Sequence, residues 1–255
     1  MSLRRLCLIV VLGCVFAAPL AGCRIGKRPT MILSIAASLQ DAMEEVETSY
    51  QRDHGPIDFQ NNFGSSGALA REIEYGAPVD AILSAGTKPL DDLEAHDLIE
   101  RGTRTNLLRN SLVLIAPRDS SLTGFEELAS DRVRVIGLGD PATVPAGQYG
   151  KQTLVKMQIY DKVSPKIVLA KDVRQVLAYV ESGNADAGLV YATDARTSDK
   201  VRVVTVVPES AHDPIVYPLA IVAGSKNGPD VRAFVAYLNS RAAKAVFARH
   251  GFIAD

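Results

Sequence analysis

Two serines, two further strand-to-helix turns and one tyrosine are the residues of this chain whose types and spacing suit a common chemistry. Ser38 follows the apolar run Met31 to Ala36, and Ser66 follows Ile57 to Phe63 through Gly64 and Ser65. Val144-Pro145-Ala146-Gly147 and Lys171-Asp172-Val173-Arg174 repeat the same plan of apolar strand, short turn and amphipathic helix. Each junction offers unpaired backbone N–H groups at the positive end of a helix dipole, so four that converge make a cage for a small anion. The turns carry few full charges, which points to selection by hydrogen bonding and size rather than by a basic funnel. Taken singly, each has a plainer explanation. Ser38, Ser66 and Asp172 are good helix N-caps, and the prolines before Ala146 and Gly147 suit a tight structural loop as well as close approach of a ligand. Tyr191 ends the apolar run Ala187 to Tyr191 and brings a phenolic O–H to the same kind of edge, where packing alone would also place it.

Enzyme readings find less support. The chain has no Gly-x-Ser-x-Gly elbow, no His-Glu-x-x-His, no Walker loop and no Gly-x-Gly-x-x-Gly. A hydrolase or phosphatase built on Ser38 or Ser66 would need a base within hydrogen-bond reach, and His54, His96, His212 and His250 are scattered in polar contexts. Asp91-Asp92 reads as a solvated helix face rather than a metal pair. No direct metal ligands and no cofactor are expected.

The elements that must hold these residues alternate. Further apolar runs lie at Val79 to Ser84, Ser111 to Ala116, Val133 to Leu138, Lys166 to Leu169, Val201 to Val207 and Val216 to Ala223. Helical patterns separate most of them: Leu39, Met43, Val46 and Tyr50 share one face, as do Val173, Val176, Leu177 and Val180. Helices are expected at 39–52, 67–75 and 148–159, with two more between Gly228 and Phe252 whose apolar positions are Val231, Phe234, Val235 and Leu238, then Ala242, Val246 and Phe247. Strand-helix-strand order predicts an α/β fold with mainly parallel sheets covered on both faces. No long Pro/Gly/Ser linker follows residue 31, so any division into domains must be made by short crossovers.

The N-terminus reads as an export signal: Arg4 and Arg5, an apolar stretch Leu6 to Leu20, then Leu20-Ala21-Gly22-Cys23. The last four residues resemble a bacterial lipobox, with residues 1–22 removed, Cys23 lipidated and residues 23–30 a tether; a plain signal peptide is the alternative. Cys7 and Cys14 would leave with the signal, so no disulfide or catalytic thiol remains. Loss of Arg4 and Arg5 turns 28 bases against 29 acids into a net charge of −3, a poor balance for a nucleic-acid partner. The protein is therefore expected outside the cytoplasm, facing the periplasm or cell exterior on a membrane anchor.

Ala36-Ala37-Ser38-Leu39, Phe63-Gly64-Ser65-Ser66, Gly76-Ala77-Pro78-Val79-Asp80, Asn110-Ser111-Leu112-Val113, Gly139-Asp140-Pro141 leading to Val144-Pro145-Ala146-Gly147, Asp172-Val173-Arg174 and Val190-Tyr191 together resemble the periplasmic molybdate-binding proteins of ABC transporters. The resemblance runs from about residue 31 to the C-terminus. It implies the class II periplasmic-binding-protein fold, two α/β lobes joined by two hinge crossovers, with one lobe at 31–111 plus 218–255 and the other at 112–217. It also implies a monomer that delivers molybdate or tungstate to a transporter permease without catalysis. By the same resemblance the oxyanion is bound by the Ser38 hydroxyl, the Ser66 hydroxyl and N–H, the N–H groups of Ala146 and Val173, and the Tyr191 hydroxyl. The chain departs from some members in carrying Gly64 and Gly67 around the second serine turn, a pair that could loosen it.

Molybdate near neutral pH has no proton, so a site made only of donors suits it. Phosphate needs an acceptor for its proton, and the nearest carboxylate, Asp172, is better explained as an N-cap. Sulfate, equally proton-free, would be excluded only by cavity size. A different small anion remains open at this point, with Arg71 and Arg174 turned inward as counter-charges.

Overall fold

The computed structural model describes residues 29–254; the signal segment and Cys23 lie outside the described residues. The chain forms β1 (Thr30–Ala36), α1 (Gln40–His54), β2 (Asp58–Gly64), α2 (Ser66–Glu74), β3 (Ala81–Leu83), α3 (Lys88–Ala95), β4 (Thr105–Arg109) and β5 (Leu112–Pro117). It continues with β6 (Ile136–Gly139), α4 (Pro145–Lys156), α5 (Tyr160–Val163), β7 (Ile167–Ala170), α6 (Val173–Glu181), β8 (Ala187–Tyr191), α7 (Ala192–Ala195), β9 (Val201–Val206), β10 (Val216–Ile221), α8 (Gly228–Leu238) and α9 (Arg241–Arg249).

These strands make two five-stranded sheets of one plan, ordered β2-β1-β3-β10-β4 and β7-β6-β8-β5-β9. In each, the first three strands are parallel and the fourth runs against both of its neighbours. The class expected from alternating elements is therefore the one observed. The chain passes between sheets at 110–111 and at 207–215. β10 begins at Val216 beside Arg109 of β4, two residues ahead of the boundary expected at 217/218.

The apolar faces read from periodicity are the buried ones. Leu39, Met43, Val46 and Tyr50 are buried, as are Val173, Val176, Leu177 and Val180. α9 differs: Ala243, not Ala242, faces inward with Val246 and Phe247. β4 was not expected. Its buried pair Leu107-Leu108 breaks the strand alternation, and opposite it the register slips between Tyr217 and Pro218, the bulge that lets consecutive residues face inward. Helix starts also moved. α4 begins at Pro145 rather than Gln148, because a proline is already shaped for the first helical position and lacks only an N–H that would go unused.

Candidate functional site

The C-terminal ends of the three parallel strands of each sheet point at one place. From the first sheet, β1 leads into Ser38, β2 into Ser66 and β3 into Ala85; from the second, β6 precedes the Val144–Ala146 turn, β7 precedes Asp172-Val173, and β8 ends in Tyr191. All of these residues line one small space of about 10 Å³. That is far below the 300–1,000 Å³ or so of sites for drug-sized organic ligands. A wider cleft of about 810 Å³ lies beside it, lined by Lys88, Tyr149, Lys151 and Asp213 among others. The smaller space holds the convergent donors. Ser38, Ser66, Ala146, Val173 and Tyr191, scattered over more than 150 residues, are thus brought together, each less than 5% exposed.

Neither serine is a helix cap. Ser38 sits inside a one-turn 3₁₀ segment, Ala37–Leu39, that precedes α1, and makes no capping bond. Its hydroxyl lies 3.0 Å from the Tyr217 hydroxyl. Ser66 opens α2, one residue earlier than expected, and its Oγ accepts the Ala85 N–H at 2.9 Å. That bond uses one lone pair and leaves the Ser66 proton for a ligand. Asp172 does what its N-cap reading requires: Oδ1 accepts the Gln175 N–H at 2.8 Å. Ala146 and Val173 stand in the first turns of α4 and α6, where N–H groups have no helical acceptor. The Tyr191 O–H is directed across to the first sheet, donating to the Ala85 carbonyl at 3.1 Å. Burial holds the Tyr191 and Tyr217 phenols well above their ordinary pKa, so both stay protonated.

Three contacts tie the sheets together around this space. One is that Tyr191 bond. The second is Gly67 N–H donating to the Thr143 carbonyl at 2.9 Å. A Cβ at position 67 would lie 2.7 Å from that oxygen, so Gly67 fits the turn closely against Thr143 rather than loosening it. A Cβ at Gly64 would make only ordinary contact with Leu69. The third is Arg174, which bonds Asp41 of α1 at 2.6 Å and faces Asp194 of α7 at 2.7 Å. Burial pushes the Asp194 carboxyl up to about 7 against the pull of Arg174.

Neither Arg174 nor Arg71 lines the small space, which removes the inward counter-charges. No histidine lines it either, so the serines have no base there. Asp91 and Asp92 are taken up by Arg104 and Lys88 on the surface, and among the described residues no acidic, His or Cys cluster could hold a metal. Sequence reasoning missed Tyr217 and Asn110, and it read Gly67 as a loosening of the serine turn rather than as a close fit to Thr143. Of the two missed residues, only Asn110, within the Asn110-Ser111 segment, had any signal.

Residues 32–253 match the family of bacterial extracellular solute-binding proteins. The chain belongs to that family. Among relatives of this solute-binding protein is the Bacillus subtilis "Putative ABC transporter substrate-binding lipoprotein YvgL", 46% identical over 90% of this chain and 88% of that one. The molybdate-binding protein ModA of Haemophilus influenzae is 40% identical over 86% and 88%. The Azotobacter vinelandii periplasmic molybdate-binding protein has the same fold, with a TM-score of 0.80 at 22% identity, covering 88% of this solute-binding protein and 99% of that chain.

Proposed function

We propose that this protein captures one molybdate ion, or tungstate by the same chemistry, between two lobes and presents it to an ABC importer. The observation that carries the reading is the enclosure of one small space by hydroxyls and helix-terminal N–H groups from six strand ends. Asp172, the one carboxylate among its described lining residues, already caps its own helix. Donors without a free acceptor suit an anion that carries no proton. The Haemophilus relative's name agrees with the choice of ion. Ser38 and Ser66 give hydroxyls from one lobe; Ala146 and Val173 give N–H groups from the other, where Tyr191 closes the ring by turning its proton from the Ala85 carbonyl to the ion. The sheets serve as the lobes, the passages at 110–111 and 207–215 as hinges, and a ligand touching both favours the closed form through its differential affinity. The Bacillus relative's name accords with an anchor on Cys23. No step of catalysis is involved.

Calorimetry on the purified protein tests this. Heat is expected with molybdate and tungstate and none with sulfate or phosphate. Silence toward both metal oxyanions overturns the reading; heat with sulfate alone keeps the lobes and changes the ion. Turnover of a chromogenic ester that disappears in Ser38→Ala or Ser66→Ala would restore the hydrolase.

A further inference from the structure

The Ser38 hydroxyl has one proton, and whether it faces the anion depends on what the neighbouring Tyr217 does with its own. Tyr217 is the second residue of β10, directly after one passage between the sheets, and Asn110 lies in the other. Asn110 Oδ1 accepts the Ser111 N–H at 2.8 Å, which fixes the orientation of the amide. Both Nδ2 protons are then placed: one donates to Thr193 Oγ1 at 2.9 Å and the other to the Tyr217 oxygen at 3.2 Å. Tyr217, receiving that bond and 1% exposed, has Ser38 Oγ at 3.0 Å for its own proton. In the reverse order Ser38 spends its proton on Tyr217, and Tyr217 must turn its own toward the Tyr191 hydroxyl.

Resting on the oxyanion reading above, we propose that Tyr217, oriented by Asn110, is a positioning residue that turns the Ser38 proton toward the ligand. The chain of bonds runs Asn110 to Tyr217 to Ser38 to the anion, every member donating forward. Ser66 reaches the same state by another route, its Oγ accepting the Ala85 N–H. Both hydroxyls thereby keep their protons for the ion, and a protonated oxyanion such as hydrogen phosphate finds its proton opposed by theirs. Discrimination between proton-free and proton-bearing tetrahedral ions then originates outside the residues that touch the ion. The same two residues flank the hinges, so the orientation is set where the lobes join.

The test compares wild type, Tyr217→Phe and Asn110→Ala for molybdate by calorimetry and for phosphate by competition, with the thermal midpoint of the ligand-free protein as the fold control. Tyr217→Phe is expected to weaken molybdate about tenfold while changing phosphate less, so the affinity ratio narrows; Asn110→Ala narrows it about threefold. Parallel loss for both ions, or no loss, overturns the proposal and leaves Tyr217 as packing. A neutron structure of the ligand-free protein reads the same point without a ligand: the proton between the two hydroxyls is expected on Tyr217, and finding it on Ser38 overturns the relay. Failure of wild type to bind molybdate would sink the functional reading alone, because the neutron map still decides the order of the bonds.

Discussion

Ser38 and Ser66 present hydroxyls that other groups aim, whereas Ala146 and Val173 present N–H groups aimed by helix geometry alone. In the first-sheet half, each donor depends on a partner: Tyr217 for Ser38 and the Ala85 N–H for Ser66. In the second-sheet half, the side chains at the two positions are small or apolar and buried, and nothing about their chemistry matters to a ligand. The difference teaches where each half is vulnerable. Hydroxyls can be deleted one atom at a time, but an N–H at a helix start can only be displaced by moving the helix.

Moving α4 gives the largest expected effect. A Cβ on Gly147 would lie 1.9 Å from the Gly139 carbonyl oxygen and 2.5 Å from its carbon, and neither atom belongs to a flexible side chain. Gly147→Ala must therefore lift α4 off β6 and carry the Ala146 N–H with it. Overpacking of this kind costs about 1–3 kcal/mol in stability. Molybdate affinity is expected to fall by more than about a hundredfold, together with a lower thermal midpoint. Wild-type affinity with a lowered midpoint would show that the second half does not depend on the position of this helix.

Deleting the hydroxyls comes next. Hydrogen bonds to a charged group contribute about 1.5–3 kcal/mol, so Ser38→Ala and Ser66→Ala should each weaken binding by about one to two orders of magnitude. Calorimetric titration of both variants checks this. If neither changes, the hydroxyls do not face the ion, and the contrast between the halves collapses.

Gly67→Ala tests the seam between the halves instead of either one. Its Cβ would press on the Thr143 backbone, so the two sheets could not approach as closely. Alanine in a helix is also favoured over glycine by about 0.5–1 kcal/mol. The expected signature is divergent: affinity about tenfold weaker with ligand-free stability equal or higher. A drop in both would show that Gly67 and Thr143 already meet at this seam in the ligand-free protein.

How much of this was legible follows from the kind of signal each residue leaves. The serine turns and the α1 and α6 faces show in side-chain type and period, which is why they could be read directly. Ala146 and Val173 contribute only backbone, so no property of their side chains marks them, and order, spacing and resemblance had to supply them. Glu47 was hidden differently. It falls within the polar pattern of α1 yet is 8% exposed, held by Asn61 of β2, with burial pushing its carboxyl up to about 7 despite that bond. Gly67 and Tyr217 act through contacts more than 70 residues away in sequence, and nothing local announces such a partner.

Asp41→Asn carries the smallest effect and separates charge from shape at the same seam. Arg174 lies between two acids that differ in burial: Asp194 is wholly buried and Asp41 is 43% exposed. The buried pair is internal to the second-sheet layer, and removing either member would strand a charge. The exposed one joins α6 to α1, elements packed on different sheets, and after solvent screening such a pair is worth about 0.2–1 kcal/mol. Because asparagine keeps the size and the hydrogen-bonding oxygen, only the charge is lost, and molybdate affinity should fall about two- to fivefold at low salt. At about 1 M salt, where the screening length is near 3 Å, the variant and wild type should converge. A difference that survives high salt would mean that Asp41 holds the Ser38 turn in shape, which would return this contact to the first half of the site and leave Arg174 with no part in joining the two.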